Sequence, residues 1–434
     1  MIHEVRVTTP TARDDVAGNS LLAEIRHLGI TSVTLVKTAR VYRLEGITVE
    51  EAAALALWLL PDPISQFATV NELIFSGAPV VEVAYQPGVM NPEAGSLMKA
   101  ARDLGITSLV AADSSTEYAF YGPPTADEVQ RILNRLLVNK TVQRIVTAKP
   151  TTLIITGLPG TCRTILLRTL EDAELLELSR DKLFLNLEEM RVIQAYFRQA
   201  GRDPTDVELE TLAQTWSEHC GHKTFRAKLV VNGKTKEPLI ARLKAAAAEY
   251  GQLVLSSFVD NSGVIAFYDG LAICGKVETH NSPSAIEPYG GAATGSGGVF
   301  RDIVGTGLGA KVIASTDIFC FAPPDLTPDQ LPPGCLHPHY LLRRVVAGVG
   351  DYGNRMGIPT NNGSLHFHPD FRAKPTIIVG AYGILPQDCC RKGSPQVGDQ
   401  IIALGGRTGR DGIHGATFSS GEMTDRTGSV NAGA

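Results

Sequence analysis

Residues 270–304 read GLAICGKVETHNSPSAIEPYGGAATGSGGVFRDIV, and the reading of this stretch sets expectations for the whole chain. The apolar run Val264 to Tyr268 precedes Asp269-Gly270, a strong two-residue hairpin signal. The alternating run Leu271 to His280 therefore predicts the second strand of the hairpin. Side chains alternate faces along a strand, which places Lys276, Glu278 and His280 together on one face. Leu271, Ile273 and Val277 then take the other face, which is expected to be the buried one. A cation, a carboxylate and an imidazole in a row are unusual on a strand built for a core. The run Gly290 to Gly298 predicts a glycine-rich loop leading into a helix that carries Arg301 and Asp302. Bare backbone N–H groups ahead of a helix N-terminus cradle phosphate, so Gly291, Gly295, Gly297 and Gly298 are candidate phosphate contacts. Glu278 and Asp302 are candidate magnesium ligands, since that ion binds through few carboxylates plus substrate phosphates. No P-loop or dinucleotide fingerprint is matched, and a glycine-rich loop alone is weak evidence.

Two longer signatures carry more information. Lys276-Val277-Glu278-Thr279-His280-Asn281-Ser282-Pro283, with the run Gly291 to Asp302, resembles the phosphoribosylformylglycinamidine synthase family. Upstream, Trp216-Ser217-Glu218-His219-Cys220-Gly221-His222-Lys223 is similar to that family's other signature. The resemblance implies an ATP-dependent carbon–nitrogen ligase of purine biosynthesis. Such an enzyme turns formylglycinamide ribonucleotide into formylglycinamidine ribonucleotide through an iminophosphate, using Mg2+ and ammonia supplied by a glutaminase subunit. Carried over by position, it implies catalytic roles for His280 and His219, and ATP contacts from His222, Lys276 and the four glycines. It further implies substrate contacts from Thr279, His280, Asn281, Ser282 and Arg301, and metal ligation by Glu278 and Asp302. The sequence departs from the family pattern twice: His222-Lys223 stands where the small-subunit type commonly has Tyr-Lys, and Asn281-Ser282 where Asn-His is usual. Serine keeps a donor and an acceptor but loses the imidazole.

The rest of the chain is consistent with an ordinary enzyme. Its 434 residues suffice for two to four domains. A formal charge of −5 gives no global reason to expect nucleic acid or a membrane surface as partner. No apolar run reaches transmembrane length and Met1-Ile2-His3-Glu4 does not open a signal peptide, so a cytoplasmic location is expected. Seven cysteines without paired C-x-x-C spacing argue against a disulfide framework or a structural zinc site. The pairs His337/His339 and His366/His368 sit beside proline and lack companion ligands in sequence, which reads as surface histidine.

An internal repeat occupies the first third. Leu28-Gly29-Ile30-Thr31-Ser32-Val33 recurs as Leu104-Gly105-Ile106-Thr107-Ser108-Leu109, an offset of 105 − 29 = 76 residues. Each copy reads as strand, helix, strand or strand pair, helix, strand, and Arg6, Arg26 and Arg40 read as solvated. The resemblance here is to the family's small structural subunit. Gly157 to Thr164 lacks the Gly-Lys-Ser/Thr ending of a phosphate loop and reads as linker. Thr205 with Glu208 forms a capping box for a helix running through Trp216. Gly221 is its expected terminator, with His219 near a C-terminus that favours imidazolium. Lys311–Phe321, Pro375–Leu385 and Asp399–Leu404 read as strands, Tyr340–Val349 as a helix, and Gly409 to Phe418 as a further family-like segment.

The expected fold class is α+β, with two tandem ferredoxin-like units (1–75 and 76–150) and a helical linker (151–215). An incomplete α/β AIR-synthase-like ATP-binding domain (216–434) is expected to follow. The family's synthetase region continues beyond the position of Ala434, so the resemblance implies an N-terminal portion of a longer enzyme. Two other readings share these features: a related ATP-using enzyme making aminoimidazole ribonucleotide or selenophosphate, and a non-catalytic scaffold that docks a glutaminase.

Overall fold

The computed structural model describes residues 1–89, 91–138, 143–154, 160–180 and 182–404. The expected segment Gly409 to Phe418 and part of the 157–164 linker lie outside the described residues.

The first repeat runs β1 (Ile2–Thr8), α1 (Val16–His27), β2 (Leu35–Glu45), α2 (Val49–Trp58) and β3 (Phe67–Val70). The second runs β4 (Val80–Tyr85), α3 (Pro92–Asp103), β5 (Ala111–Tyr121), α4 (Ala126–Ile132) and β6 (Gln143–Ile145). The 76-residue offset maps α1 onto α3 (92 − 16), β2 onto β5 (111 − 35) and β3 onto β6 (143 − 67). It also maps Gly46 onto Gly122, both with strongly positive φ after a central strand, where only glycine escapes a Cβ clash. Both helices that follow start with a capping box, Thr48 with Glu51 and Thr125 with Glu128.

The two copies share one six-stranded antiparallel sheet, ordered β3-β1-β2-β5-β4-β6, so each contributes strands in the same third-first-second order. The sheet is joined at its middle by β2 and β5 over their full length, Leu35 opposite Tyr121 to Glu45 opposite Ala111. Each copy has three strands, one fewer than the β-α-β-β-α-β ferredoxin-like pattern, because β2 and β5 run unbroken. One core cluster draws on both copies, with Val5, Leu44 and Leu55 beside Leu97 and Ala101. Arg6 is not solvated. It is 2 % exposed, and its guanidinium donates to Glu117 Oε1 at 2.9 Å and Glu4 Oε2 at 3.0 Å.

A small helical unit follows, α5 (Asp172–Ser179), α6 (Leu187–Gln199) and α7 (Asp206–Thr215), around Leu175, Met190, Phe197 and Leu209. The Thr205–Glu208 capping box opens α7 as expected. The helix then ends one turn early. Trp216 caps it, and Ser217 accepts from Cys220 N–H to start a separate short helix, α8 (Glu218–Gly221). The left-handed stop is His222, at φ 49°, rather than Gly221. A further short helix α9 (Lys223–Arg226), the hairpin β7 (Leu229–Val231) and β8 (Lys234–Lys236), and α10 (Leu239–Glu249) lead to the second sheet.

That sheet comprises β9 (Val254–Ser256), β10 (Gly263–Ala266), β11 (Leu271–Thr279), β12 (Lys311–Phe321), β13 (Thr360–Phe367) and β14 (Thr376–Pro386). Its order is β13-β12-β14-β11-β10-β9. The hairpin between β10 and β11 turns at Asp269 and Gly270, both with positive φ, as the sequence predicts. Helices α11 (Asn281–Ile286), α12 (Pro288–Val304) and α13 (Pro338–Met356) cover one face. Residues 399–404 form no strand and are exposed. Among the described residues no helix is long and apolar enough to cross a membrane.

Two expectations about the opening stretch are corrected. The strand face carrying Lys276, Glu278 and His280 is the helix-covered one, continuing from Ala272 and Cys274, both fully buried. Val277 lies on the uncovered face and is 63 % exposed. The apolar alternation misled because small core residues, Ala272 and Cys274, carry less hydrophobic signal than the half-exposed Leu271, Ile273 and Val277. The glycine run, moreover, is not a loop. Residues 288–304 are one helix, and its glycines thin that helix for close packing. A Cβ at Gly291 would lie 2.6 Å from the Pro283 and Ser284 backbone, one at Gly295 3.0 Å from His280 Cβ, and one at Gly297 2.8 Å from the Tyr352 hydroxyl. Gly291→Ala is therefore expected to destabilise the chain by roughly 1–3 kcal/mol, the usual cost of overpacking a core. Urea denaturation checks this, and unchanged stability would refute the close-packing role.

Candidate active site

At the end of β11, the strand and α12 bring charged groups of opposite sign together. Lys276 Nζ lies 3.4 Å from Glu278 Oε2 and 3.1 Å from Asp302 Oδ2. The ammonium thus sits between two carboxylates contributed by a strand and by the last turn of a helix. Asn261 Nδ2 donates to Asp302 Oδ1 at 3.4 Å, a contact the sequence did not suggest. Both carboxylates face the Lys276 ammonium and remain partly exposed, and two such hard oxygen donors suit magnesium, which keeps several waters and binds phosphate. The protein supplies no third acidic or imidazole ligand there among the described residues.

His280 follows β11 directly, tied to β14 by its N–H to Ile377 C=O at 3.0 Å. Burial lowers its pKa from the ordinary 6.5, while the Gly291 backbone and, after it, the Glu278 carboxylate pull the other way and His219 opposes protonation. Its Nδ1 is buried without a hydrogen-bond partner. The fold therefore favours a neutral imidazole, the form that accepts a proton. His219, on short α8, reaches His280 electrostatically although 61 residues separate them in sequence (280 − 219). Helix α8 is a single turn of four residues, so it is not the long helix whose C-terminus the sequence placed at His219.

The remaining candidates divide. Thr279, on the uncovered strand face with Val277, and Arg301, next to Asp302 in sequence, are both exposed. Asn281 is engaged structurally, its Oδ1 accepting from Ile377 N–H at 2.8 Å. Ser282 is 4 % exposed, so its hydroxyl is not offered to a substrate in this structure. His222 is exposed at the left-handed junction of α8 and α9, beside Lys223, whose ammonium pairs with Glu189 at 2.8 Å. Gly291, Gly295 and Gly297 are buried against neighbours, and their N–H groups belong to a helix interior; the phosphate cradle expected of the run is absent.

A buried acid in the second sheet carried little signal in the sequence. Asp317, on β12 beneath α13, is 6 % exposed; Thr360 donates to its Oδ2 at 3.2 Å, and Oδ1 has no partner. It lines a cavity of about 440 Å³ with Phe319, Val346 and Leu365. Its only sequence signal was an acid at an inward position of an apolar strand. Burial pushes its pKa up from 3.8 to about 6. The unfolded chain loses this proton near pH 4 and the folded chain only near 6. Stability is thus fully present below the unfolded value and falls as pH rises through that window, by roughly 3 kcal/mol. Asp317→Asn is expected to remove this fall and to stabilise the protein at pH 8. Denaturation at pH 4 and pH 8 checks the sign, and equal pH dependence in both proteins would refute it.

The comparisons with known proteins bear on the same stretches. Residues 166–223 match the formylglycinamide ribonucleotide amidotransferase linker domain, and residues 259–385 the N-terminal domain of AIR synthase related proteins. The first match takes in His219 and His222, the second the whole Lys276–Asp302 cluster. The chain matches an N-terminal portion of phosphoribosylformylglycinamidine synthase. Phosphoribosylformylglycinamidine synthase subunit PurL of Thermoplasma volcanium is 39 % identical over 267 residues, 60 % of this chain and 32 % of that protein. The Thermus thermophilus subunit is 39 % identical over 228 residues, 52 % of this chain and 28 % of its own length. This chain therefore spans about a third of the curated relatives it matches. Among solved structures, T. maritima PurL complexed with FGAR is 30 % identical, covering 53 % of this chain and 32 % of its own, with a TM-score of 0.37.

Proposed function

We propose that this chain carries the phosphate- and metal-handling half-site of an ATP-dependent ligase. The reaction is conversion of formylglycinamide ribonucleotide to formylglycinamidine ribonucleotide, with ammonia drawn from glutamine by a glutaminase. The observation that carries the reading is the convergence of Lys276, Glu278 and Asp302 beside a partly buried, neutral-leaning His280. The relatives' shared name supports it.

In this chemistry the amide oxygen of the substrate attacks the γ-phosphorus of ATP, releasing ADP and leaving an iminophosphate. The amide N–H proton is lost as the imidate forms. Ammonia then adds to that imidate carbon, the carbon–oxygen bond breaks to release phosphate, and the added nitrogen loses a proton to give the amidine. Lys276 supplies positive charge to transferring phosphoryl oxygens. Glu278 and Asp302 would hold magnesium, which neutralises phosphate charge when bound. His280 accepts the proton from the attacking nitrogen, which requires the neutral imidazole its burial favours. His219 positions or relays at His280, and exposed Thr279 and Arg301 are the substrate contacts. Asn281 and Ser282 act by shaping the β11–α11 junction. The tandem repeat, read as a pair of modified ferredoxin-like units, is the part that docks the glutaminase. The test is magnesium-dependent ATP binding followed by formylglycinamide ribonucleotide-dependent ADP release with ammonium present. Failure to bind nucleotide overturns the reading.

A further inference from the structure

Glu24, His27 and His339 meet where α1 of the first repeat packs against the start of α13, a junction the reaction does not use. Glu24 and His27 stand three residues apart on α1, hence on one helical face. His339 arrives 315 residues after Glu24 in sequence. Glu24 is 6 % exposed, and its two oxygens have separate duties. Oε1 is taken by the Arg343 guanidinium. Oε2 faces both imidazoles, 2.9 Å from His339 Nδ1 and 4.0 Å from His27 Nδ1. The two rings lie 4.4 Å apart, centroid to centroid. One ligand atom from each of the three residues falls within 4.8 Å of the others, the only such grouping of three or more histidine, cysteine or acidic residues among the described residues.

We propose that Glu24, His27 and His339 form a binding site for a transition-metal dication of the zinc type, clamping the first repeat to α13. Two imidazole nitrogens and one carboxylate oxygen are a borderline donor set, which selects zinc or cobalt over magnesium and calcium. Tetrahedral zinc, with ligand bonds near 2.0–2.1 Å, holds its donor atoms about 3.3 Å apart. The observed 2.9 and 4.0 Å from Glu24 Oε2 bracket that spacing, and all three donor atoms lie within 4.8 Å of one another. The ion takes the place of the proton shared between Glu24 Oε2 and His339 Nδ1. Arg343 orients the carboxylate through its other oxygen, the role outer partners play at metal sites. His27 has a side chain 55 % exposed, which leaves a coordination position open to water. His337, adjacent in sequence, is no ligand: it is buried with Nε2 on Leu326 C=O at 2.9 Å. The pair His337/His339 is not the surface pair its sequence neighbourhood predicts: His337 is buried, and the groups facing His339 come from the other end of the chain.

Cobalt(II) titration of chelator-treated protein, followed by visible absorption, and zinc titration by calorimetry test the site. The expected result is about one ion per chain, with affinity falling roughly 100-fold or more in His27→Ala, since even outer-shell changes cost 10–100-fold. His27 is half exposed, so that variant keeps its fold, and saturating zinc should raise the melting temperature of the parent protein but not of His27→Ala. His366→Ala, in an exposed histidine outside the cluster, should bind as the parent does. Absence of binding, equal affinity in His27→Ala, or a near-ultraviolet thiolate band that places cobalt on cysteine would each overturn the proposal.

Discussion

Replacing His280 by alanine is expected to cut turnover with ammonium as nitrogen donor by roughly two to four orders of magnitude, the span of a general acid–base group. The geometry is specific about why. His280 lies past the end of β11, on the face shared with Lys276 and Glu278, and burial lowers its pKa from 6.5. A base must be unprotonated, so the acidic limb of the rate profile should fall below the ordinary histidine range. The sign follows from the cause: burial penalises the imidazolium, and the Gly291 backbone and the Glu278 carboxylate only partly offset it. Nucleotide affinity should survive the substitution, because the ammonium and carboxylates come from other residues. Ammonium in place of glutamine removes any glutaminase from the measurement. Near-normal turnover, or an acidic limb above pH 7, would make His280 a bystander.

Glu278→Gln should weaken magnesium-dependent nucleotide binding by roughly 10–100-fold or more, since a lost direct ligand costs at least what a lost outer partner does. In the structure Lys276 balances one of two negative charges at 3.1 and 3.4 Å, leaving a net charge of −1 at the position where a dication would add. Amide substitution cancels that residual charge and leaves the ammonium opposed by Asp302 alone. Titration of nucleotide affinity against magnesium separates this from a fold defect: the variant should lose the magnesium dependence while retaining its unfolding midpoint. A magnesium response identical to the parent protein's would remove Glu278 from the site.

Much of the architecture was legible locally. The 76-residue repeat, the Asp269-Gly270 turn, the Thr205–Glu208 cap and the strand Lys311–Phe321 all depend on short-range signals: periodicity, positive φ and capping side chains. Trp216 was a different matter. Helical spacing of apolar residues continued through it, yet Ser217 offered a new N-cap and broke the helix, a contest between adjacent local signals that propensity does not settle. The face of β11 was misassigned because alternation reports period, not side, and small buried residues look neutral in sequence.

What the sequence alone determined, then, is which residues could do chemistry: Lys276, Glu278, His280 and Asp302 stand out by type and spacing, and the family resemblance gave them roles. Tertiary structure decided what each is free to do. It turned the glycine run into a packed helix, committed Asn281 to β14, buried Ser282 and Asp317, brought His219 within electrostatic reach of His280, and set His339 beside Glu24. The physical reason is common to all of these. Burial, close approach and charge neighbours are set by contacts between segments tens to hundreds of residues apart, and those contacts fix protonation and accessibility without leaving a local mark in the chain.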